Sequence, residues 1–164
     1  MDTVIRNARL IDGSGPTEIG SDKGRIVAIG SALGGDAQVI DAEGCMVVPG
    51  LVETHFHLDK TCILDRCQPA DGSVAEAVRL TSAAKASFTP EDVYARGSRT
   101  LERAISWGTM RMRTHVEVDP CIGMRGFEGV QQLAKDFAWA MDIELCVFPQ
   151  EGLLNNPGTD ELLI

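Results

Sequence analysis

His55 and His57 flank Phe56, and side chains at i and i+2 of an extended chain project from one face. Two imidazoles so placed can reach one metal ion without bending the backbone. Neutral imidazole suits zinc or ferrous iron, and such an ion lowers the pKa of a bound water to near neutrality. The chain has only three histidines, so this spacing uses two of them. The plainer alternative is a pair of histidines that serve only as hydrogen-bonding groups, as buried imidazoles often do.

The pair needs a strand to hold it. Val47-Val48-Pro49-Gly50-Leu51-Val52 leads into it, which predicts a buried strand with the histidines near its carboxyl end. Leu58-Asp59-Lys60-Thr61 then supplies polar groups at the mouth. Parallel α/β barrels keep their chemistry at that end of their strands. Ser73-Val74-Ala75-Glu76 reads as a capping box opening a helix to about Lys85. Thr89-Pro90-Glu91-Asp92 starts a second helix, with a hydroxyl cap, proline at the first position and acids in the first turn. It ends at Trp107-Gly108, and a strand follows from Thr109 to Val118. Phe127, Val130, Ala134, Phe137 and Met141 recur at helical spacing. Ile143 to Phe148 is nearly all apolar, which predicts a parallel strand covered on both faces, with Cys146 as a small core residue. Thr159-Asp160-Glu161 caps a further helix. Strand–helix alternation of this kind implies right-handed parallel crossovers.

The amino-terminal part reads differently. Asp2–Ile11, Arg25–Ile29, Gln38–Asp41 and Cys45–Val48 are short strands separated by turn clusters such as Asp12-Gly13-Ser14-Gly15-Pro16 and Lys23-Gly24.

Asp41 to Thr61 (DAEGCMVVPGLVETHFHLDKT) resembles the first barrel strand of the amidohydrolase superfamily, within the branch of cytosine deaminase and isopropylammelide amidohydrolase. Arg113-Thr114-His115-Val116-Glu117-Val118 resembles that branch's second strand. Val147-Phe148-Pro149-Gln150-Glu151-Gly152 resembles its third strand and the loop after it. The resemblance runs over essentially the whole chain. It implies an α/β fold: the first three strands of a (β/α)8 TIM-type barrel in residues 49–164, preceded by part of a small β-sandwich in residues 1–48. A full barrel takes typically about 250 residues, so the chain is expected to be the amino-terminal part of a larger enzyme.

The resemblance implies one divalent metal ion, zinc or iron(II), on His55 and His57, and hydrolytic deamination of a cytosine-like pyrimidine or an aminotriazine. It places the further ligands and the proton shuttle on later strands, so no catalytic acid or base is expected here. Gln150 is the matching substrate-binding residue. Its carboxamide could read a ring carbonyl and an adjacent N–H together. Phe148 and Val74 match pocket-lining positions. Lys60 stands where the cytosine deaminase pattern has threonine, and resembles the isopropylammelide branch instead. Its head group could meet a ring oxygen or a loop carboxylate, or simply be solvated. His115 is expected to make a supporting hydrogen bond, since the superfamily takes its third histidine from a later strand. Arg113 and Glu117 share its face and are expected to pair with each other or join a strand-end network. Asp59 and Glu151 are expected as supporting carboxylates near the metal and Gln150. Two other readings stay open: a non-catalytic remnant acting only through another chain, and a hydantoinase-like cyclic amidohydrolase.

Composition narrows the classes. The net charge of −9 argues against nucleic-acid binding, which needs a basic stripe. No apolar run is long enough to span a membrane, and the first residues lack a signal-peptide layout. Five irregularly spaced cysteines fit reduced thiols in a cytoplasmic protein. Cys62, just after the histidine pair, could face the site or be buried. Self-association into a homo-oligomer is left open.

Overall fold

The computed structural model describes all residues, 1–164, and the chain divides into two compact units, Met1–Pro49 and Gly50–Ile164. The first unit is a small mixed sheet of β1 (Thr3–Leu10), β2 (Thr17–Asp22), β3 (Arg25–Gly30), β4 (Gln38–Asp41) and β5 (Met46–Val47). The order is β3-β2-β1-β4, with β5 also pairing with β1. β1–β2 and β2–β3 are antiparallel, whereas β4 and β5 run parallel to β1. Lys23 and Gly24 turn the β2–β3 hairpin with φ of 50° and 73°, the paired positive φ that a two-residue loop needs to match strand twist. Val4, Ala8 and Ile19 form its small buried centre. β2 was not legible from the sequence. Its only strongly apolar residue is Ile19, and its place in the sheet comes from pairing with β1 and β3 rather than from alternation.

The second unit runs β6 (Leu51–Phe56), a 3-10 turn (Leu58–Lys60), α1 (Val74–Lys85), α2 (Pro90–Ser106), β7 (Thr109–Glu117), α3 (Arg125–Asp136), β8 (Asp142–Phe148) and α4 (Thr159–Leu162). The three strands form a parallel sheet in the order β6-β7-β8. One face packs on the helices. Met112, Thr114 and Val116 of β7 are buried there with Leu58, Phe88, Val93, Leu101, Val130 and Leu133. Burying each of the large apolar side chains is worth about 1.5–3 kcal/mol. α3 lies close on α2 because Gly129 has no side chain. A Cβ there would meet the Pro90 carbonyl oxygen at 2.7 Å and Val93 Cβ at 2.9 Å.

The helix ends follow their sequence signals with two changes. Ser73 Oγ accepts from Glu76 N–H and Thr89 Oγ1 from Asp92 N–H. Glu76 does not return a bond to Ser73. Its carboxylate instead accepts from the N–H groups of Ala70, Asp71 and Gly72, tying down the loop before α1. Thr159 is the first residue of α4 rather than its cap, and its hydroxyl donates to Asn156 O.

Two strand expectations are corrected. The run before the histidines is not buried, since Leu51 and Val52 of β6 are exposed. β8 is not covered on both faces: Asp142, Glu144 and Val147 are exposed, and its ladder bonds go to β7 alone.

Candidate metal centre

β6 and β7 are out of simple register at the histidine pair. Glu53 faces Met112 but Phe56 faces Thr114, so three steps on β6 match two on β7. An extra residue of this kind bends a strand and re-aims its side chains. The chain beyond β6 is then held from below. Leu58 N–H donates to the buried Thr114 hydroxyl at 3.0 Å, and Asp59 Oδ2 accepts from Glu117 N–H at 2.9 Å. Arg96, buried in α2 over the Phe88 ring, donates to the carbonyls of Thr61 and Asp59 at 2.6 and 3.0 Å.

This fastening brings all three histidines together. Ring centroids lie 5.4 Å apart for His55–His57, 4.4 Å for His55–His115 and 5.5 Å for His57–His115. One ring nitrogen from each falls within 4.8 Å of the other two. Nδ1 of His57 and Nδ1 of His115 are buried with no hydrogen-bond partner. Orphaned buried ring nitrogens are costly unless something takes their lone pairs. Burial, followed by the Lys60 ammonium and the other two imidazoles, lowers the His57 pKa to about 4. His57 is therefore neutral at physiological pH, the state a ligand must have. Three imidazoles, two with unused nitrogens, fit a divalent transition-metal ion. The hydrogen bond expected at His115 is absent from its Nδ1, and its ring lies beside the pair.

A second polar cluster lies at the same strand ends. Lys85, in the last turn of α1, is buried and hydrogen-bonds Glu117 Oε1 at 2.6 Å and both Glu151 oxygens at 2.8 and 2.7 Å. It also bonds Asp119, and Ser82 donates to Glu151. Glu117, Asp119 and Glu151 could group around a cation, but the ammonium already sits among them. Burial alone would lower the Lys85 pKa; the hydrogen bonds to Asp119, Glu117 and Glu151 outweigh it and hold the group above the usual lysine range. Burial would likewise raise Glu151, yet Lys85 and Ser82 hold it well below the usual range. Burial pushes the Glu117 carboxyl up, and the hydrogen bonds and charges of Lys60 and Lys85 pull it back down. Sequence reading missed Lys85. A helix-terminal lysine is usually solvated, and the available signal was three acids clustered just after two strand ends.

The remaining residues sort clearly. Lys60 Nζ lies 2.6 Å from Gln150 Oε1, 2.6 Å from Glu117 Oε2 and 5.1 Å from the Phe148 ring centroid. Phe148 packs edge-on to His57 at 5.3 Å and His115 at 6.4 Å. Lys60, Phe148 and Gln150 thus adjoin the imidazoles. Val74 takes no part in this network and is 82 % exposed at the start of α1. Glu151 serves Lys85, and Asp59 fastens the end of β7. Arg113 pairs with Glu144 on β8 and not with Glu117, because side chains in register on adjacent parallel strands are nearer than those along one strand. Cys146 is a partly exposed neighbour of His115 in register, not a core residue. Cys62 is exposed, with φ of 54°.

Comparisons with known proteins agree with this geometry. Residues 38–143 match the profile of the Amidohydrolase family. The chain belongs to the amidohydrolase family. It is 26 % identical over 172 residues to N-isopropylammelide isopropyl amidohydrolase of Pseudomonas sp. (strain ADP), covering 99 % of this chain and 42 % of that protein. It superposes on 5-methylcytosine deaminase from Klebsiella pneumoniae, liganded with 5-fluorocytosine, with a TM-score of 0.85 and 32 % identity over 97 % of this chain and 39 % of that one. It also matches N-isopropylammelide isopropylaminohydrolase from Burkholderia multivorans, with a TM-score of 0.80 and 32 % identity over 98 % of this chain and 41 % of the other. The chain spans about two fifths of the length of these relatives. The small mixed sheet followed by a parallel sheet with helices corresponds to part of the relatives' fold. No helix is long and apolar enough to cross a membrane.

Proposed function

We propose that this chain supplies part of the active site of a metal-dependent aminohydrolase that removes an amine from a cyclic amidine, either a cytosine-like pyrimidine or an aminotriazine. The observation that carries the proposal is the convergence of His55, His57 and His115 beside Lys60, Phe148 and Gln150. In this reading the imidazoles hold one divalent ion, zinc or iron(II), with His55 and His57 as the core of the set. When bound, such an ion provides Lewis acidity and water of near-neutral pKa. The chain's own residues do the rest of the work seen here. His57 offers an uncharged nitrogen. Phe148 gives an apolar wall on which a flat ring can stack. Gln150 contacts the ring's polar edge, and Lys60 sets its position. The 5-methylcytosine deaminase and isopropylammelide relatives support this substrate class.

The test is an assay of the whole enzyme, metal-loaded and metal-stripped. Ammonia release from cytosine and 5-methylcytosine, and isopropylamine release from N-isopropylammelide, are followed in parallel. Turnover of at least one, lost on chelation and restored by zinc or iron(II), is expected. No turnover of any of the three by metal-loaded enzyme would contradict the proposal.

A further inference from the structure

The side-chain amide of Gln150 has a defined polarity. Lys60 Nζ is 2.6 Å from its oxygen, Oε1. An ammonium has three donors and no acceptor, so only the oxygen end of a carboxamide can face it. Turning the amide over would set N–H against N–H. The other end, Nε2, is buried and has no partner.

Lys60 is in turn fixed. Its side chain is almost buried, ion-paired at 2.6 Å with Glu117 Oε2 and resting on the Phe148 ring. Glu117 is fully buried, and its other oxygen is held by Lys85 at 2.6 Å. The series Lys85–Glu117–Lys60–Gln150 alternates cation, anion, cation and dipole. Each member sets the orientation of the next.

The geometry points to Lys60 as a specificity-determining residue that locks the orientation of the Gln150 amide, so that its NH2 end is the one left for the ligand. The lysine holds the oxygen end on its own side, and the NH2 end is the one without a partner. The site therefore takes a ring that presents a carbonyl oxygen there. It rejects a ring that presents N–H or NH2, because two donors would then face each other in a buried place, both unsatisfied. This inference rests on the cyclic-amidine reading of the site and narrows it. An unconstrained carboxamide can turn over to suit either polarity of the ring edge, and Lys60 removes that freedom.

Cytosine presents a 2-oxo acceptor beside N1–H, whereas 2,4-diaminopyrimidine presents a 2-amino donor beside an unprotonated N1, so the hydrogen-bonding polarity of this edge is reversed between them and they are the probes. Dissociation constants are measured calorimetrically with the whole enzyme, and metal content is checked in each variant. The wild type is expected to favour cytosine by about tenfold or more. In Lys60→Met the released amide can rotate, and the ratio should fall to within about threefold. A purely structural role for Lys60 would weaken both ligands together and leave the ratio unchanged, which would overturn the inference. So would a wild-type ratio near one. Gln150→Glu keeps a partner for Lys60 but presents only acceptors, and is expected to reverse the preference.

The amide itself gives a readout that needs no ligand. The Gln150 side-chain NH2 resonance, assigned by its loss in Gln150→Glu, should be ordered in the wild type and mobile in Lys60→Met. A mobile Gln150 amide in the wild type would overturn the lock whatever the substrate. An ordered, Lys60-dependent amide in an enzyme that binds neither pyrimidine would leave the lock standing and overturn the substrate reading.

Discussion

Arg111 and Arg113 at the amino end of β7 pair with Asp142 and Glu144 of β8 at 2.6 and 2.9 Å. Glu117, at the carboxyl end of the same strand, sits 2.6 Å from both Lys60 and Lys85. The distances are alike, but the surroundings are not. The arginine pairs are 65 %/65 % and 53 %/59 % exposed, whereas Glu117 is 0 % exposed and its lysines are 9 % and 3 % exposed. Exposed pairs lose most of their Coulomb energy to water and salt, and contribute about 0–1 kcal/mol. Buried charges without partners are strongly unfavourable, so each must keep its geometry. One strand thus carries a loose ladder at one end and a fixed polar frame at the other. The imidazoles, Phe148 and Gln150 gather at the fixed end.

Substitutions at the two ends should separate this difference into magnitudes. The largest effect is expected from His55→Ala combined with His57→Ala, which should abolish metal retention as measured by elemental analysis, together with any deamination. Metal at the wild-type level in the double variant would remove the carboxyl end's special status. Next comes Lys85→Met, which strands Glu117, Asp119 and Glu151 without their shared cation. It should cost about 3–5 kcal/mol of stability in urea unfolding. A loss below about 1 kcal/mol would mean the buried frame behaves like the exposed ladder.

Acidity gives a smaller and more selective effect. His57 has a pKa near 4 in the fold against an ordinary value of 6.5. The unfolded chain takes up a proton at this site before the folded one does. The stability linked to His57 is therefore complete above pH 6.5 and falls as the pH drops toward 4. In metal-free protein, His57→Gln should bring the urea midpoints at about pH 7.5 and about pH 5 closer together. An unchanged gap would show that His57 is not held neutral by burial. The smallest effect is expected at the exposed ladder, where Arg113→Met should change stability by no more than about 1 kcal/mol, and less at high salt.

The parts of this arrangement that the sequence disclosed are those written in local spacing. His55 and His57 share a face because of strand geometry alone. Ser73 and Thr89 announce their helices through residue type, and β7 and β8 through propensity. The parts that stayed hidden depend on long-range registry. His115 joins the pair because β6 gains a residue against β7 between Glu53 and Phe56, which neither strand shows by itself. Lys85 meets Glu117, Asp119 and Glu151 only after α1 and both strand ends are assembled. The orientation of the Gln150 amide follows from Lys60, ninety positions earlier in the chain. The partner of Arg113 is hidden for the same reason, since it lies across the sheet and not along the strand.

The central claim is that His55, His57 and His115 form one metal-binding set. Long-range 15N–1H correlation of the histidine ring nitrogens during titration with zinc tests it most directly. Ring nitrogens of all three residues should shift together and reach a plateau at about one equivalent, since one ion takes one nitrogen from each. A titration in which His115 does not move while His55 and His57 saturate would contradict the account and return His115 to a structural role.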